Sequence, residues 1–325
     1  MLNDRLNKGQ AFRLFTTATG AMLVASVLIS VLNPLLGFYD ADGNYTNGGF
    51  WWANAICQLA VLIAVVVVCG LYKVNYFDAV NLKKFPKATT FLCALGLGVG
   101  VYFFMNPIQL WILQLLSSMG YHSTSSVPIS SDPTTVILLV TVVCLLPAVV
   151  EEQLFRGAIL GGLKEFKPLI ACLIGGGLFM IFHMNPAQTV HQFVMGVVLT
   201  FIALGCDSLY PTIAVHFVNN LIVILLVLTL GADGADGLVL KYWYAFLLGG
   251  LAVAGVSFYF FCKLTKNQRE EKVQPTVATE NAKPKALDKN TSAKNGESGD
   301  MMILFAGVLA CTVIWLTNLS SNIGG

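Results

Sequence analysis

The sequence predicts an all-α polytopic membrane protein, a helical bundle of about eight core helices followed by one extra C-terminal transmembrane helix. Its 325 residues are 56% hydrophobic and only 11% charged, with a mean hydropathy of +0.73, whereas soluble domains are about 25% charged. Apolar runs long enough to enter a bilayer recur nine times, and basic residues are confined to alternate connections between them. These observations exclude a water-exposed fold.

The nine apolar runs are expected to be nine helices, although two of them are short. A helix that spans a bilayer needs about 20 residues. The fifth and sixth runs are shorter and flank Asn185-Pro186, a pair that breaks a helix. Because irregular backbone is tolerated at membrane depth only inside protein or around a wet cavity, we expect these two runs to meet below the membrane surface. The runs lie near residues 12–36, 51–72, 88–116, 134–163, 169–184, 190–206, 211–230, 241–262 and 301–319.

The placement of charge predicts the orientation of the chain. Lysine and arginine cluster at the N-terminus, in 73–87, in 164–167 and in 263–294. With nine spans, all these segments fall on one side, and cytoplasmic connections are the ones enriched in basic residues. The N-terminus is therefore predicted to be cytoplasmic and the C-terminus outside. The opposite connections hold one basic residue, Lys241, and the acidic residues Asp40, Asp42, Asp132, Asp233 and Asp236.

Composition divides the chain into three parts. Residues 1–262 form the predicted membrane-embedded core. Residues 263–300 are rich in Lys, Glu, Asn, Thr, Ala and Pro and nearly devoid of large apolar side chains, which is typical of a disordered charged linker. Residues 301–325 contain the predicted C-terminal transmembrane helix. A net charge of +2 is too small to indicate a nucleic-acid partner, so the expected partners are the lipid bilayer and a peptide or lipidated protein substrate.

The eight cysteines do not indicate a metal cluster or a disulfide framework. They lie in or at the ends of apolar runs and show no Cys-x-x-Cys spacing. Such cysteines are expected to be small buried apolar residues.

Three formally charged residues lie inside the fourth apolar run. They are Glu151, Glu152 and Arg156, and ionisable residues within a membrane segment mark a functional site by default. A charged flank at the helix end is the simpler alternative, but the sequence becomes apolar again after Arg156. Glu152 and Arg156 are four residues apart, so they share a helix face and can pair. Two adjacent carboxylates at low dielectric cannot both ionise cheaply, which suits one of them to act as a general base.

Later runs contribute imidazole and amide side chains. His183 lies four residues after Phe179, and His216 and Asn220 share one face of the seventh predicted helix. A buried histidine that only donates to a carbonyl is the structural alternative for His183. His216 and Asn220 can stabilise a developing oxyanion, or they can simply join helices by hydrogen bonds.

Together these residues resemble the CAAX protease and bacteriocin-processing family, also known as the CPBP or Abi family, which includes the Ras-converting CAAX endopeptidases. The family pattern is Glu-Glu-x-x-x-Arg, Phe-x-x-x-His and His-x-x-x-Asn/Asp on successive helices. The similarity covers residues 134–230. The matching segments are Glu151-Glu152-Gln153-Leu154-Phe155-Arg156, Phe179-Met180-Ile181-Phe182-His183 and His216-Phe217-Val218-Asn219-Asn220.

The resemblance implies an intramembrane endopeptidase whose site opens to the cytosol. Glu151 would activate water, while Glu152 and Arg156 would set its protonation. His183 would orient the water, and His216 and Asn220 would stabilise the oxyanion. The resemblance leaves the metal open, because a metal-free glutamate mechanism and a Zn²⁺ site with His183 and His216 as ligands both fit the residues.

Three functions therefore compete. The first is hydrolysis of a membrane-anchored, lipidated or leader-type peptide. The second is a non-catalytic immunity or scaffold protein that retains the motif residues for structure. The third, a transporter with a buried proton relay, is disfavoured because transporters usually carry internal repeats and the sequence has none. A prenylated C-terminal tail, a bacteriocin leader and a signalling peptide all remain candidate substrates.

Overall fold

The computed structural model describes residues 3–82, 84–122, 127–273 and 293–323. Within these ranges the chain forms helices and three isolated β-bridges, and no β-strand is present. Eight helices are long and apolar enough to cross a membrane, and a ninth, Pro168–Phe182, is apolar but shorter. The nine apolar runs are thus nine helices, and the predicted fold class is confirmed.

Two short helices in connections were not predicted, namely α3 (Tyr76–Ala79) and α9 (Ala232–Lys241). Helices α10 (Trp243–Val273) and α11 (Ala293–Ser321) also extend into the segment predicted as a linker, and residues 274–292 of that segment lie outside the described residues. In chain order the helices are α1 (Lys8–Leu36), α2 (Asn47–Leu71), α3 (Tyr76–Ala79), α4 (Ala88–Ser118), α5 (Pro133–Leu163), α6 (Pro168–Phe182), α7 (Thr189–Cys206), α8 (Tyr210–Leu230), α9 (Ala232–Lys241), α10 (Trp243–Val273) and α11 (Ala293–Ser321).

Helix α5, which carries the charged motif, is not a regular α-helix along its whole length. It contains two stretches of wider π-helical turns, Leu139–Leu145 and Gln153–Ile159. Pro147 accounts for the first, because it has no backbone N–H with which to continue the regular ladder. The N–H of Leu146 donates instead to the carbonyl of Thr141, five residues back. Wider turns of this kind occur frequently at functional sites.

The predicted break between the fifth and sixth runs is present. Helix α6 ends at Phe182, and Met184 adopts a left-handed φ of 50°. The Asn185 side chain then accepts a hydrogen bond from the Ala187 N–H at 2.9 Å and starts a single 3₁₀ turn before α7. Helices α6 and α7 return antiparallel to one another, so the break forms a tight turn, residues 183–188, inside the bundle.

Small residues let α6 and α7 approach closely. A Cβ added at Gly196 would lie 2.8 Å from the Cα of Gly176, a distance that side chains do not tolerate. Close approach through glycine is common between membrane helices. The close packing of α6 and α7 brings the backbone of α7 within hydrogen-bonding distance of Arg156 on α5.

The outer surface of the bundle carries many large apolar side chains. The side chains of Leu35, Leu71 and Leu248 are each more than 60% exposed. A contiguous apolar surface of this extent is abnormal on a protein surrounded by water and is expected where helices face lipid. The chain is therefore a multi-pass integral membrane protein.

The first and last helices run parallel. Arg13 Nε donates to Asp300 Oδ1 at 2.6 Å, and the Thr16 hydroxyl donates to the Ile303 carbonyl at 2.7 Å. The N-terminal ends of α1 and α11 consequently lie at one end of the bundle. We call this the basic end, formed by residues 3–7, 72–82, 84–87, 164–167 and 207–209. The acidic end is the opposite one, formed by residues 37–46, 119–122, 127–132 and 231–242.

Candidate active site

The innermost part of the site is an ion pair. Glu152 Oε1 accepts a hydrogen bond from Arg156 Nη1 at 2.7 Å, and both side chains have no solvent exposure. The pairing of these two residues on one helix face is as predicted. Arg156 Nη2 also donates to the Gly196 carbonyl at 3.2 Å, and its guanidinium lies 4.2 Å from the centre of the Phe179 ring. Arg156 is thus fixed by three helices.

Glu151 has a different environment, although it is the next residue in the chain. Its Oε1 accepts a hydrogen bond from Gln58 Nε2 of α2 at 2.9 Å. Its Oε2 is buried and has no hydrogen-bond partner within the described part of the chain. Glu152 Oε2 is likewise buried without a partner among the described residues. The two glutamates therefore differ in their surroundings, because Glu152 is paired with Arg156 whereas the available oxygen of Glu151, Oε2, lies near His183.

His183 faces that available oxygen. Its Nδ1 lies 2.8 Å from the Phe179 carbonyl, to which it can only donate, so Nε2 of the neutral ring carries a lone pair. Nε2 is 3.8 Å from Glu151 Oε2, which is too long for a direct hydrogen bond. Two acceptors at this separation can each take one hydrogen from a single water molecule. His183 therefore makes the hydrogen bond to a backbone carbonyl that a purely structural histidine would make. Its other ring nitrogen is at the same time placed to bind a water molecule together with Glu151.

His216 and Asn220 of α8 complete the set. His216 Nδ1 lies 3.0 Å from Glu152 Oε1, so His216 can donate from Nε2 only when the Glu152–His216 pair holds an additional proton. Asn220 Nδ2 makes one long contact of 3.5 Å to the Val143 carbonyl, the group that Pro147 leaves without its regular partner. That weak contact leaves the Asn220 amide free to donate elsewhere.

A cavity of about 610 Å³ connects these side chains. Glu151, His183, His216 and Asn220 line it, whereas Glu152 and Arg156 are not among the lining residues. The six predicted site residues thus form two groups. Four face the cavity, and two lie behind its wall and hold the wall in place.

Carboxamide side chains that sequence reasoning missed also line the cavity. Among the described residues, the Oε1 atoms of Gln58 and Gln109 are buried without a partner, while their amide nitrogens donate to Glu151 and to the Ala187 carbonyl. The Asn219 Oδ1 also has no partner in that part of the chain. Buried acceptors without partners are rare in folded proteins, so these atoms indicate a ligand or water that donates hydrogen bonds. The sequence did contain a signal for these side chains, because polar residues occur within the apolar runs that form α2 and α4.

The C-terminal helix reaches the same site. Asn318 Nδ2 of α11 donates to the Met184 carbonyl at 2.8 Å, and Trp315 Nε1 donates to the Thr189 hydroxyl at 2.9 Å. Both bonds hold the turn that follows His183. Met184 needs such support, because a left-handed φ is unfavourable for a residue with a long side chain. Helix α11, which lies outside the range of family similarity, thus packs against the turn that positions His183.

A zinc site with His183 and His216 as ligands stays a prediction, and the arrangement of the side chains does not favour it. Within residues 3–82, 84–122, 127–273 and 293–323, no three His, Cys, Asp or Glu side chains are grouped so that they could hold a metal ion. Glu152, the carboxylate in contact with His216, is already paired with Arg156. A catalytic zinc site needs three protein ligands and an open position, and the donor set does not supply them.

The cavity extends toward the acidic end of the bundle. Its lining continues from Glu151 to Val127 in the connection before α5 and to Asp236 and Val239 on α9. None of its lining residues belongs to the described residues of the basic end. The lining of the cavity therefore favours an opening at the acidic end, which is the end that the charge pattern predicts to be outside.

One comparison with known proteins identifies the central segment. Residues 133–222 match the family model described as type II CAAX prenyl endopeptidase Rce1-like. No curated protein and no solved structure gives a significant match to the chain. The matched segment runs from the start of α5 into α8 and contains all three motifs. Residues 133–222 are therefore similar to the Rce1-like domain of type II CAAX prenyl endopeptidases, as the motif resemblance predicted.

Proposed function

We propose that the chain is an intramembrane endopeptidase in which Glu151 activates a water molecule to hydrolyse a peptide bond of a membrane-anchored, lipidated or leader-type peptide. The observation that carries the proposal is the pair of acceptors formed by Glu151 Oε2 and His183 Nε2, 3.8 Å apart in the wall of a polar cavity. An Rce1-like family assignment supports peptide hydrolysis as the class of reaction.

The hydrolysis follows from the arrangement of the side chains. Glu151 accepts a proton from the bound water, and the resulting hydroxide attacks the carbonyl carbon of the substrate. His216 Nε2, when the Glu152–His216 pair is protonated, and Asn220 Nδ2 donate to the oxyanion that develops. The C–N bond then breaks, and the proton held by Glu151 passes to the leaving amine. No net proton is gained or lost by the enzyme.

Arg156 and Glu152 act without touching the substrate. Their ion pair fixes the position of His216 and places a positive charge near the carboxylates in a medium of low dielectric. Such fixed charges stabilise a transition state without reorganising during the reaction. In this proposal the reaction proceeds without a metal, since the side chains supply a base and oxyanion donors but do not form a three-ligand site.

Substrate binding uses the free acceptors of the cavity. Peptide N–H groups can donate to Gln58 Oε1, Gln109 Oε1 and Asn219 Oδ1, each of which is buried and finds no partner among the residues that the structure describes. The lining residues include no lysine or arginine. The cavity therefore suits an uncharged peptide segment better than one that carries several carboxylates.

Replacement of Glu151 by Gln tests the proposal. This change keeps the size of the side chain and its hydrogen bond to Gln58 but removes the base. Membrane peptidomes of cells that produce the wild type and Glu151→Gln are compared, with Glu165→Gln as the matched control, because Glu165 is an exposed glutamate of the basic end. We expect processing to fall at least about 1,000-fold in Glu151→Gln and to be unchanged in Glu165→Gln.

Two results would contradict this view. Processing that survives Glu151→Gln at unchanged protein level favours the non-catalytic immunity or scaffold function. A purified enzyme that loses activity with a chelator and regains it with added Zn²⁺ requires a metal in the mechanism.

A further inference from the structure

We infer that the catalytic cavity opens to the non-cytoplasmic side of the membrane, so that the substrate is a peptide segment displayed there. The inference deepens the proposed endopeptidase function and rests on it for the nature of the reaction. It concerns the side of the membrane from which Glu151 is reached, which the motifs do not specify.

The first observation is where the cavity lies along the bundle. Helix α2 contributes Asn54 and Gln58 from its first half, which starts at the acidic end. Helix α4 contributes Tyr102 to Leu113 from its second half, which finishes at the acidic end. Asp236 of α9 lies at the mouth. Helices α2 and α4 therefore contribute the parts of their length that lead to the acidic end, whereas Glu151 of α5 and His216 of α8 lie deeper, in the halves nearer the basic end.

The short helix α6 explains why the cavity is open at that end. It spans 15 residues, about 22 Å at 1.5 Å per residue, and it starts at the basic end after Lys167. The hydrocarbon core is about 30 Å thick. The turn at residues 183–188 therefore ends short of the acidic face, and the volume beyond it is occupied by the cavity.

The second observation is the distribution of basic residues. Of the 19 lysine and arginine residues, Arg156 is buried in the site and Lys241 alone belongs to the acidic end. In the sequence all the others lie near the N-terminus, between residues 73 and 87, at 164 and 167, or between residues 263 and 294. Short connections rich in lysine and arginine stay on the cytoplasmic side. The fold itself ties these connections together, since Lys164 Nζ pairs with Asp207 at 3.1 Å and the Ser208 hydroxyl donates to the Lys84 carbonyl.

The two observations lead to a substrate class. A prenylated tail made and presented in the cytosol would meet the closed, basic end of the bundle. A segment that has crossed the membrane, such as an exported leader peptide or the membrane-proximal part of an exported lipid-anchored protein, would meet the open end. Its cleavage follows an export reaction, because the substrate bond must first be moved across the bilayer.

Accessibility of single introduced cysteines tests the inference in intact cells that produce the full chain. Asp236→Cys places a thiol at the cavity mouth, and Asp4→Cys places one at the basic end. Both residues are exposed aspartates, and neither change alters a basic residue. The wild type, with its eight native cysteines in apolar surroundings, gives the background. We expect a membrane-impermeant maleimide to label Asp236→Cys at least about tenfold above background, and Asp4→Cys only after the cells are permeabilised.

An activity measurement locates the open site. Right-side-out and inverted vesicles with the wild type or Glu151→Gln receive an internally quenched, lipid-anchored peptide in the outer leaflet. We expect Glu151-dependent cleavage by right-side-out vesicles and at least about tenfold less by sealed inverted vesicles. Labelling of Asp4→Cys but not Asp236→Cys in intact cells would overturn the inference whatever the activity. Cleavage that is equal in the wild type and Glu151→Gln would instead overturn the proposed function and leave the labelling result intact.

Discussion

The buried pair of Glu152 and Arg156 allows a quantitative test of how the site is held together. The two side chains have no exposed surface and are joined by a 2.7 Å hydrogen bond. Removal of one partner of a buried ion pair leaves an uncompensated charge and costs about 3–5 kcal/mol of unfolding free energy. We therefore expect Glu152→Gln and Arg156→Met each to destabilise the protein by about this amount.

The double variant, which combines Glu152→Gln with Arg156→Met, is expected to be far less harmful than the two single changes together. It leaves no unpaired charge at either position, and the Gly196 carbonyl, which loses the bond from Arg156, keeps the Thr200 hydroxyl as a donor at 2.8 Å. The coupling free energy between the two positions should then be at least about 3 kcal/mol. His216 contributes an asymmetry, because it can compensate Glu152 when Arg156 is removed but has no anion when Glu152 is replaced.

Reversible unfolding of the four proteins in mixed detergent micelles measures this cycle, with the thermal midpoint as a second readout. The reasoning would be refuted if the destabilisation of the double variant equalled the sum of the two single destabilisations to within about 0.5 kcal/mol. Such additivity would mean that water or another cation neutralises each residue separately, and that the pair does not act as one unit.

Two further predictions concern residues that support the cavity. Gln58→Leu removes the donor to Glu151 Oε1 at nearly constant volume, and kcat should fall about 10–100-fold, which is the equivalent of one hydrogen bond to a charged group. The control is Gln192→Leu, because Gln192 is another cavity-lining amide and its nitrogen donates to Gln188. Equal kcat values for the two variants would contradict a role for Gln58. Asn318→Leu releases the Met184 carbonyl, and kcat per folded enzyme should fall about tenfold with KM within about twofold. Thr317→Val, one residue away and bonded only within its own helix, should change neither, and a loss confined to the amount of folded Asn318→Leu protein would assign Asn318 a purely structural role.

Much of the chemistry could be predicted from the sequence because it depends on short segments. Glu152 and Arg156 pair because they are four residues apart on one helix, and the break at Asn185-Pro186 follows from the backbone of proline. The family match covers residues 133–222, a segment that contains the same local motifs. The partner of Glu151 could not be predicted, because Gln58 lies on a helix 93 residues earlier in the chain.

The sequence by itself determined the membrane class, the nine helices and the ionisable residues of the site, since composition and periodicity specify which segments leave water and which side chains must be paired there. Only the tertiary structure decided that α11 supports the turn after His183 and that the cavity leads to the acidic end. Both depend on which helix faces pack together over long sequence separations. Hydropathy records how apolar a face is, and it carries no information about which other face covers it.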